Sequence, residues 1–137
     1  KLQEKRLSVS TCLSPLSHEL FADRDQLRQV LLNIVDNAID ATPEGGPPIE
    51  ITAHELFRSE RDGTVIHVKD AGAGISLESL PHVFQPFVTA GKRHGTGLGL
   101  AICKNIIESH EGDIYMSSEV EKGTTVGIWL PAQQALS

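Results

Sequence analysis

Several features that mark specialised protein classes are scarce or missing in this sequence. It has only two cysteines in 137 residues, Cys12 and Cys103, without a CxxC pair, which indicates buried thiols in a reducing compartment. Its six histidines lack the spacing of zinc ligands. No stretch approaches the length of a membrane span, and no signal peptide is visible. Acidic residues outnumber basic ones by 18 to 12, which argues against nucleic-acid binding.

The length of the chain predicts one domain that buries a real core, with roughly two-thirds of its unfolded surface removed from water. The chain starts at Lys1 rather than at methionine, so we expect it to be a piece of a longer protein. We expect a cytoplasmic domain, and any membrane anchor or sensor would lie in the remainder of that protein.

Apolar periodicity predicts two main helices. Apolar residues recur at helical spacing over 27–39, and Asp23 with Gln26 can form a capping box at the start of this helix. A second helix is predicted over about 98–110 and is ended by Gly112. A short helix is expected between them, after the turn "DAGAG".

Alternating apolar and polar residues predict the strands. One strand is predicted over 5–13, two more over 49–56 and 64–70, and a closing hairpin over 112–131 that turns at Lys122-Gly123. Together these elements predict an α+β sandwich in which helices cover one face of a mostly antiparallel sheet.

Two stretches place polar side chains where a ligand could use them. In the first helix, Asn33 and Asn37 share one polar face, although their spacing alone is better interpreted as an ordinary solvated surface. In "DAGAG", Asp70 ends a strand and is followed by Gly72 and Gly74. These glycines suit either a tight turn with positive φ or the close approach of a flat ring to the backbone.

A third stretch, "KRHGTGLGLAIC", has glycines at alternate positions, Gly95, Gly97 and Gly99. It fits neither the dinucleotide-binding glycine pattern nor the P-loop pattern. A glycine-rich helix start nevertheless offers free N–H groups and a positive dipole end to phosphate. Lys92 and Arg93 add positive charge just before it.

The order of these stretches resembles the ATP-binding domain of sensor histidine kinases. "NIVDNAIDAT", "DAGAG", "FQPF" and "GTGLGLAIC" stand where the N, G1, F and G2 boxes of that family would stand. The wider group is the Bergerat-fold ATPases, with gyrase, the ninety-kilodalton heat-shock chaperone and the mismatch-repair ATPases. The resemblance covers about residues 5–131. It implies a two-layer α/β sandwich, without the phosphoacceptor and dimerisation domain of such kinases.

The resemblance also implies a site for Mg-ATP. By this resemblance, the side-chain oxygen of Asn37 coordinates Mg²⁺, a hard ion that prefers oxygen ligands. Asn33, one turn away, would help to hold the metal and the phosphates. The resemblance also implies that the carboxylate of Asp70 accepts a hydrogen bond from the exocyclic amine of adenine. The base would lie in a mostly apolar slot that Gly72 and Gly74 would shape.

The remaining implied contacts surround this site. A short lid over 88–96 would cover ATP, with Lys92 or Arg93 touching phosphate, and Thr124 or Thr125 would line the adenine end. The implied nucleotide-binding residues are Asn33, Asn37, Asp70, Gly72, Gly74, Ile75, Lys92, Arg93, Gly95, Thr96, Gly97, Leu98, Gly99, Leu100 and Thr125.

Position 33 separates branches of this group. Members that hydrolyse ATP resemble this pattern but carry glutamate there as general base, whereas an amide cannot take a proton from water. Asn33 therefore favours transfer of the γ-phosphoryl to a histidine on a separate dimerisation domain, and onward to a response regulator. The resemblance implies a monomeric fragment of a homodimeric kinase. An ATP-hydrolysing Bergerat domain and a degenerate interaction module are the alternatives.

Two departures from the family pattern stand out. Many members have lysine three residues after the second asparagine, where this chain has Asp40, so we expect Lys92 or Arg93 to supply the cation. Residues 17–20, "SHEL", match the core of the phosphoacceptor motif, but Arg/Lys-Thr-Pro does not follow. We therefore interpret His18 as part of a connector.

Overall fold

The chain folds into a sheet with helices packed on one of its faces. A computed structural model describes residues 9–13, 23–85 and 99–132. Within these ranges, no helix is both long and apolar enough to cross a membrane. The elements are β1 (Val9–Leu13), α1 (Arg24–Ala41), β2 (Ile49–Glu55), β3 (Gly63–Asp70), a 3₁₀ turn (Leu80–His82), α2 (Gly99–Ser109), β4 (Asp113–Glu119) and β5 (Gly123–Pro131).

Within the described residues, the sheet is mixed and has five strands in the order β1-β2-β3-β5-β4. β1 and β2 are parallel, and every other neighbouring pair is antiparallel. A parallel pair needs a long crossover, and α1 lies in the crossover from β1 to β2. These observations confirm the predicted α+β sandwich and its mostly antiparallel sheet. The closing hairpin and its turn are also confirmed.

The hydrophobic core lies between the sheet and the two helices. The core residues from α1 recur at helical spacing. The apolar residues that predicted this helix from the sequence therefore form the face that packs against the sheet. Each fully buried aliphatic side chain there stabilises the fold by about 1.5–3 kcal/mol. The buried cluster comprises Val30, Ile34, Ala38, Ile39, Ile49, Val68, Cys103, Ile106, Ile107, Val126, Ile128 and Leu130.

One of the two predicted buried thiols belongs to this core. Cys103 is 0% exposed and its Sγ donates to the backbone carbonyl of Val30 at 3.8 Å, across the interface between α2 and α1. The side chain of Cys12 lies outside the part of the chain that the structure describes.

The start of α1 is held by a cap that differs in one bond from the predicted box. Asp23 Oδ1 accepts from the backbone N–H of Gln26 at 3.0 Å, as predicted. The N–H of Asp23 donates instead to Nε2 of His110 at 3.0 Å. Because Nε2 accepts, the imidazole proton sits on Nδ1, which donates to the carbonyl of Ile106 at 2.7 Å. The first turn of α1 is thereby tied to the last turn of α2.

The end of α2 uses glycine for packing rather than for conformation. The left-handed residue after the helix is Glu111, with φ of 61°, while Gly112 follows it. The N–H of Gly112 donates to the carbonyl of Ile107 at 2.9 Å, and the N–H of Glu111 donates to the carbonyl of Glu108 at 3.0 Å. This pair of hydrogen bonds is a Schellman motif. A Cβ at Gly112 would lie 2.3 Å from the carbonyl oxygen of Trp129. Glycine therefore lets the chain pass close to β5.

Candidate functional site

A buried carboxylate ends β3. Asp70 is 6% exposed, and its Oδ1 accepts from the N–H of Gly72 at 2.9 Å and the N–H of Thr124 at 3.3 Å. Burial raises the pKa of Asp70, and the two backbone hydrogen bonds offset part of that rise. Oδ2 accepts no hydrogen bond within the described residues, where every fully buried side-chain oxygen has a partner, so Oδ2 reaches solvent. The strand end thus presents one open, strong acceptor.

The glycines that follow this carboxylate are required by the fold. In the β3 loop (residues 70–75), a Cβ at Gly72 would lie 2.3 Å from the carbonyl oxygen of Ala41, at the end of α1. Gly74 has φ of +77°, and a Cβ there would lie 2.2 Å from the carbonyl oxygen of Glu119. The predicted tight turn with positive φ is confirmed at Gly74. Both glycines are explained by contacts within the protein, without the flat ring considered above.

The β3 loop is fastened to the hairpin of β4 and β5. The N–H of Ile75 donates to Ser118 Oγ at 2.7 Å, and the N–H of Glu121 donates to the carbonyl of Ala73 at 2.6 Å. Sequence reasoning missed Ser118. Its signal is the alternation of β4, because Ser118 ends the inward-facing row that begins with the apolar Ile114.

Of the two candidate threonines, Thr124 lies at this site. Thr124 pairs with Asp70 across the sheet, is 7% exposed, and has its Oγ1 2.7 Å from Ser118 Oγ. Thr125 pairs with Lys69 instead. Successive side chains of a strand point to opposite faces, so Thr125 faces away from Asp70. Strand register thus places Thr124 rather than Thr125 beside Asp70, and contact of either threonine with adenine stays a prediction.

Two amide side chains lie along α1 in line with the β3 loop. Asn33 and Asn37 are half-buried, and their four-residue spacing continues to Ala41, whose carbonyl meets Gly72. With the rise of an α-helix, Asn37 lies about 6 Å and Asn33 about 12 Å from Ala41 along the axis. This face of α1 thus extends away from the Asp70 carboxylate and carries two uncharged side-chain oxygens that could act as metal ligands, those of Asn37 and Asn33.

The start of α2 contributes the remaining described candidates. Gly99 and Leu100 are its first residues, and both are half-buried. None of the described residues lies within 4 Å of a Cβ placed at Gly99. Several predicted residues lie outside the described ranges: His18, Phe87, Lys92, Arg93, Gly95, Thr96, Gly97 and Leu98.

A match to a known protein family identifies the type of domain that these residues form. Residues 22–134 match the family of histidine kinase-, DNA gyrase B- and HSP90-like ATPases. The chain belongs to this family. The match includes all four boxes on which the resemblance was based, and confirms it.

The most similar curated proteins include kinases, which indicates the branch of the ATPase family to which this chain belongs. It is 44% identical over 108 residues to sporulation kinase D of Bacillus subtilis (strain 168), which is 79% of this chain and 20% of that protein. It is 45% identical over 113 residues to sensor histidine kinase ZraS of Escherichia coli (strain K12), with 82% and 23% covered. The chain therefore spans about a fifth of the length of these relatives.

Solved structures agree with this assignment. The catalytic domain of histidine kinase ThkA superposes with a TM-score of 0.81 at 32% identity, covering 96% of this chain and 82% of that one. Full-length ShkA in complex with AMPPNP gives 0.82 at 29% identity, with 98% and 27% covered. This family member is therefore an ATP-binding catalytic domain of the sensor histidine kinase type.

Proposed function

We propose that this domain binds Mg-ATP and positions the γ-phosphoryl group for transfer to a histidine on a separate dimerisation domain. The observation that carries the proposal is the Asp70 carboxylate, which is buried, fixed through Oδ1 by two backbone N–H groups, and open at Oδ2. An exocyclic amine is the purine group that such an acceptor suits. The complex of ShkA with AMPPNP supports an adenine nucleotide.

The donors along α1 fit the phosphate end of the same ligand. Asn37 and Asn33 offer neutral side-chain oxygens, and Mg²⁺ takes oxygen ligands together with phosphates and water. We assign Asn37 to the metal and Asn33 to its support. When bound, Mg²⁺ would neutralise charge on the phosphates. The absence of described residues around the Cβ position of Gly99 fits a close approach of phosphate to the N-terminus of α2.

The contribution of this domain to chemistry is positioning. Asn33 and Asn37 are amides and cannot act as a general base at neutral pH. Phosphoryl transfer depends mainly on alignment and charge stabilisation, which fixed donors can supply. The base then belongs to the partner domain that carries the histidine. We further propose a response regulator as the final acceptor, a homodimeric parent kinase, and the ATP-rich cytoplasm as the working compartment.

Lys92 and Arg93 remain our candidates for the cation that many relatives supply at the position of Asp40. A charge-assisted contact to phosphate should make the double alanine variant bind Mg-AMPPNP about tenfold more weakly. Lys104→Ala, an exposed change on α2, is the matched control. Unchanged affinity in the double variant would exclude both residues from this role.

The function is tested by nucleotide titration followed by phosphoryl transfer in trans. Mg-AMPPNP should raise the melting temperature, because a ligand of the native state stabilises it. A dimerisation domain added with labelled ATP should then acquire label on histidine. Appreciable steady-state hydrolysis by the domain alone would favour the ATP-hydrolysing alternative. No binding of adenine nucleotide would favour an interaction module.

A further inference from the structure

Ser118 uses its whole hydrogen-bonding capacity next to the proposed base site. Its half-buried Oγ accepts from the N–H of Ile75 at 2.7 Å and donates to the carbonyl of Gly123 at 3.0 Å. Its third partner is the hydroxyl of Thr124 at 2.7 Å. A serine hydroxyl has one proton and two lone pairs. Since the proton goes to Gly123, Thr124 must be the donor in the third bond.

This direction of donation decides what Thr124 can offer a ligand. With its only proton committed to Ser118, Thr124 Oγ1 has acceptor capacity alone. The neighbouring Asp70 Oδ2 is also an acceptor, and both residues lie on the helix-facing side of the sheet. The site therefore presents two acceptors side by side. A 6-amino purine brings donor protons to them, whereas a 6-oxo purine brings another acceptor.

Ser118 also fixes the loop that carries the carboxylate. Its bond to Ile75 closes the β3 loop against β4, three residues after Gly72, which donates to Asp70 within the same loop. A second tie, from Glu121 to Ala73, does not involve the serine. Removing the hydroxyl should thus free Thr124 and loosen Ile75 without detaching the loop.

We infer that Ser118 is a positioning residue that sets the preference for adenine over guanine, by holding Thr124 as an acceptor beside Asp70. The inference rests on the proposed nucleotide site and adds a residue that need not touch the nucleotide.

The test compares three ligands by calorimetry with Mg²⁺ present: the imido analogues of ATP and GTP, and tripolyphosphate. Ser118→Ala should bind the ATP analogue about tenfold more weakly, with the other two within about twofold of wild type. Amide exchange at Ile75 should become faster in the same variant. Ser118→Thr, which keeps the hydroxyl, should retain the preference. Ser117→Ala is the matched control, because Ser117 is exposed and pairs with Thr125 on the other face.

The outcomes separate this inference from the function beneath it. A folded Ser118→Ala domain with an unchanged ATP-to-GTP ratio overturns the inference, as does an equal loss for all three ligands. A wild-type domain that binds no ATP analogue overturns the proposed function as well. If Ser118→Ala does not fold, Thr124→Val replaces it, since this change removes the other end of the same bond. Its ATP-to-GTP ratio should also fall, and an unchanged ratio overturns the inference.

Discussion

The two ends of the proposed nucleotide site are built differently. The base end, formed by the β3 loop with Ser118 and Thr124, is closed by the protein itself. Its glycines lie against backbone carbonyls of α1 and β4, and its carboxylate is held by backbone N–H groups. The phosphate end, formed by Asn33, Asn37 and the start of α2, has half-buried amides and a glycine, Gly99, whose Cβ position is free of contacts with the described residues.

This difference separates two uses of glycine that look alike in the sequence. At the base end, small size and positive φ are needed before any ligand arrives, so substitution should harm folding first. At the phosphate end, none of the described residues fills the space beside Gly99, so substitution there should harm binding first.

The largest effect is expected from Asn37→Ala at the phosphate end. Loss of the proposed Mg²⁺ ligand should reduce the rate of phosphoryl transfer to an added dimerisation domain by about a hundredfold or more. The free energy of unfolding should change by less than about 0.5 kcal/mol, because Asn37 lies on a half-buried surface. Asn105→Ala, exposed on α2, is the control. Transfer at the wild-type rate by Asn37→Ala would contradict the metal assignment.

The next effect is on stability at the base end. Gly74 and Gly45 have similar positive φ values, +77° and +70°, but a Cβ at Gly74 would clash with Glu119, whereas one at Gly45 has no described residue within 4 Å. Gly45→Ala should cost about 1–2 kcal/mol for the left-handed conformation. Gly74→Ala should cost about 2 kcal/mol more, because its methyl group meets the carbonyl of Glu119. Urea unfolding measures both, and equal costs would show that the loop yields to the methyl group.

Sequence periodicity predicted the helices and strands, because the buried side of a helix recurs at every turn and the buried side of a strand at every second residue. It predicted α1 and its Asp23 cap correctly, since capping is local. It could not choose between Thr124 and Thr125, because that choice depends on strand register against Asp70. Ser118 was missed for the same reason, as its partners lie 43 residues upstream and across a turn.

A smaller effect is expected from pH at the base end. Burial raises the pKa of Asp70 in the folded state, so stability falls as pH rises from the ordinary aspartate pKa to the raised one, and the full cost of the ionised carboxylate persists above it. Below the ordinary aspartate pKa of about 4 the cost is absent, because the group is protonated whether folded or unfolded. Asp70→Asn keeps an oxygen for Gly72 and Thr124, and should be at least as stable as wild type at pH 7. Its advantage should shrink as pH falls. Urea unfolding of both proteins across pH measures the difference, and an advantage that grows on acidification would contradict the raised pKa.

The smallest effect on stability is expected from Gly99→Ala at the phosphate end. A methyl group at this first residue of α2 meets none of the described residues, and alanine is the better helix former, so the free energy of unfolding should change by less than about 0.5 kcal/mol or rise slightly. Affinity for Mg-AMPPNP should nevertheless fall by about tenfold, if phosphate approaches the backbone at this point. Calorimetry with Asn105→Ala as control measures the affinity, and urea unfolding measures the stability. A loss of 2 kcal/mol or more, on the order of an overpacked core, would mean that the protein itself fills this space. Full stability with full affinity would remove Gly99 from the phosphate site, and the contrast between the two ends would then rest on Asn33 and Asn37 alone.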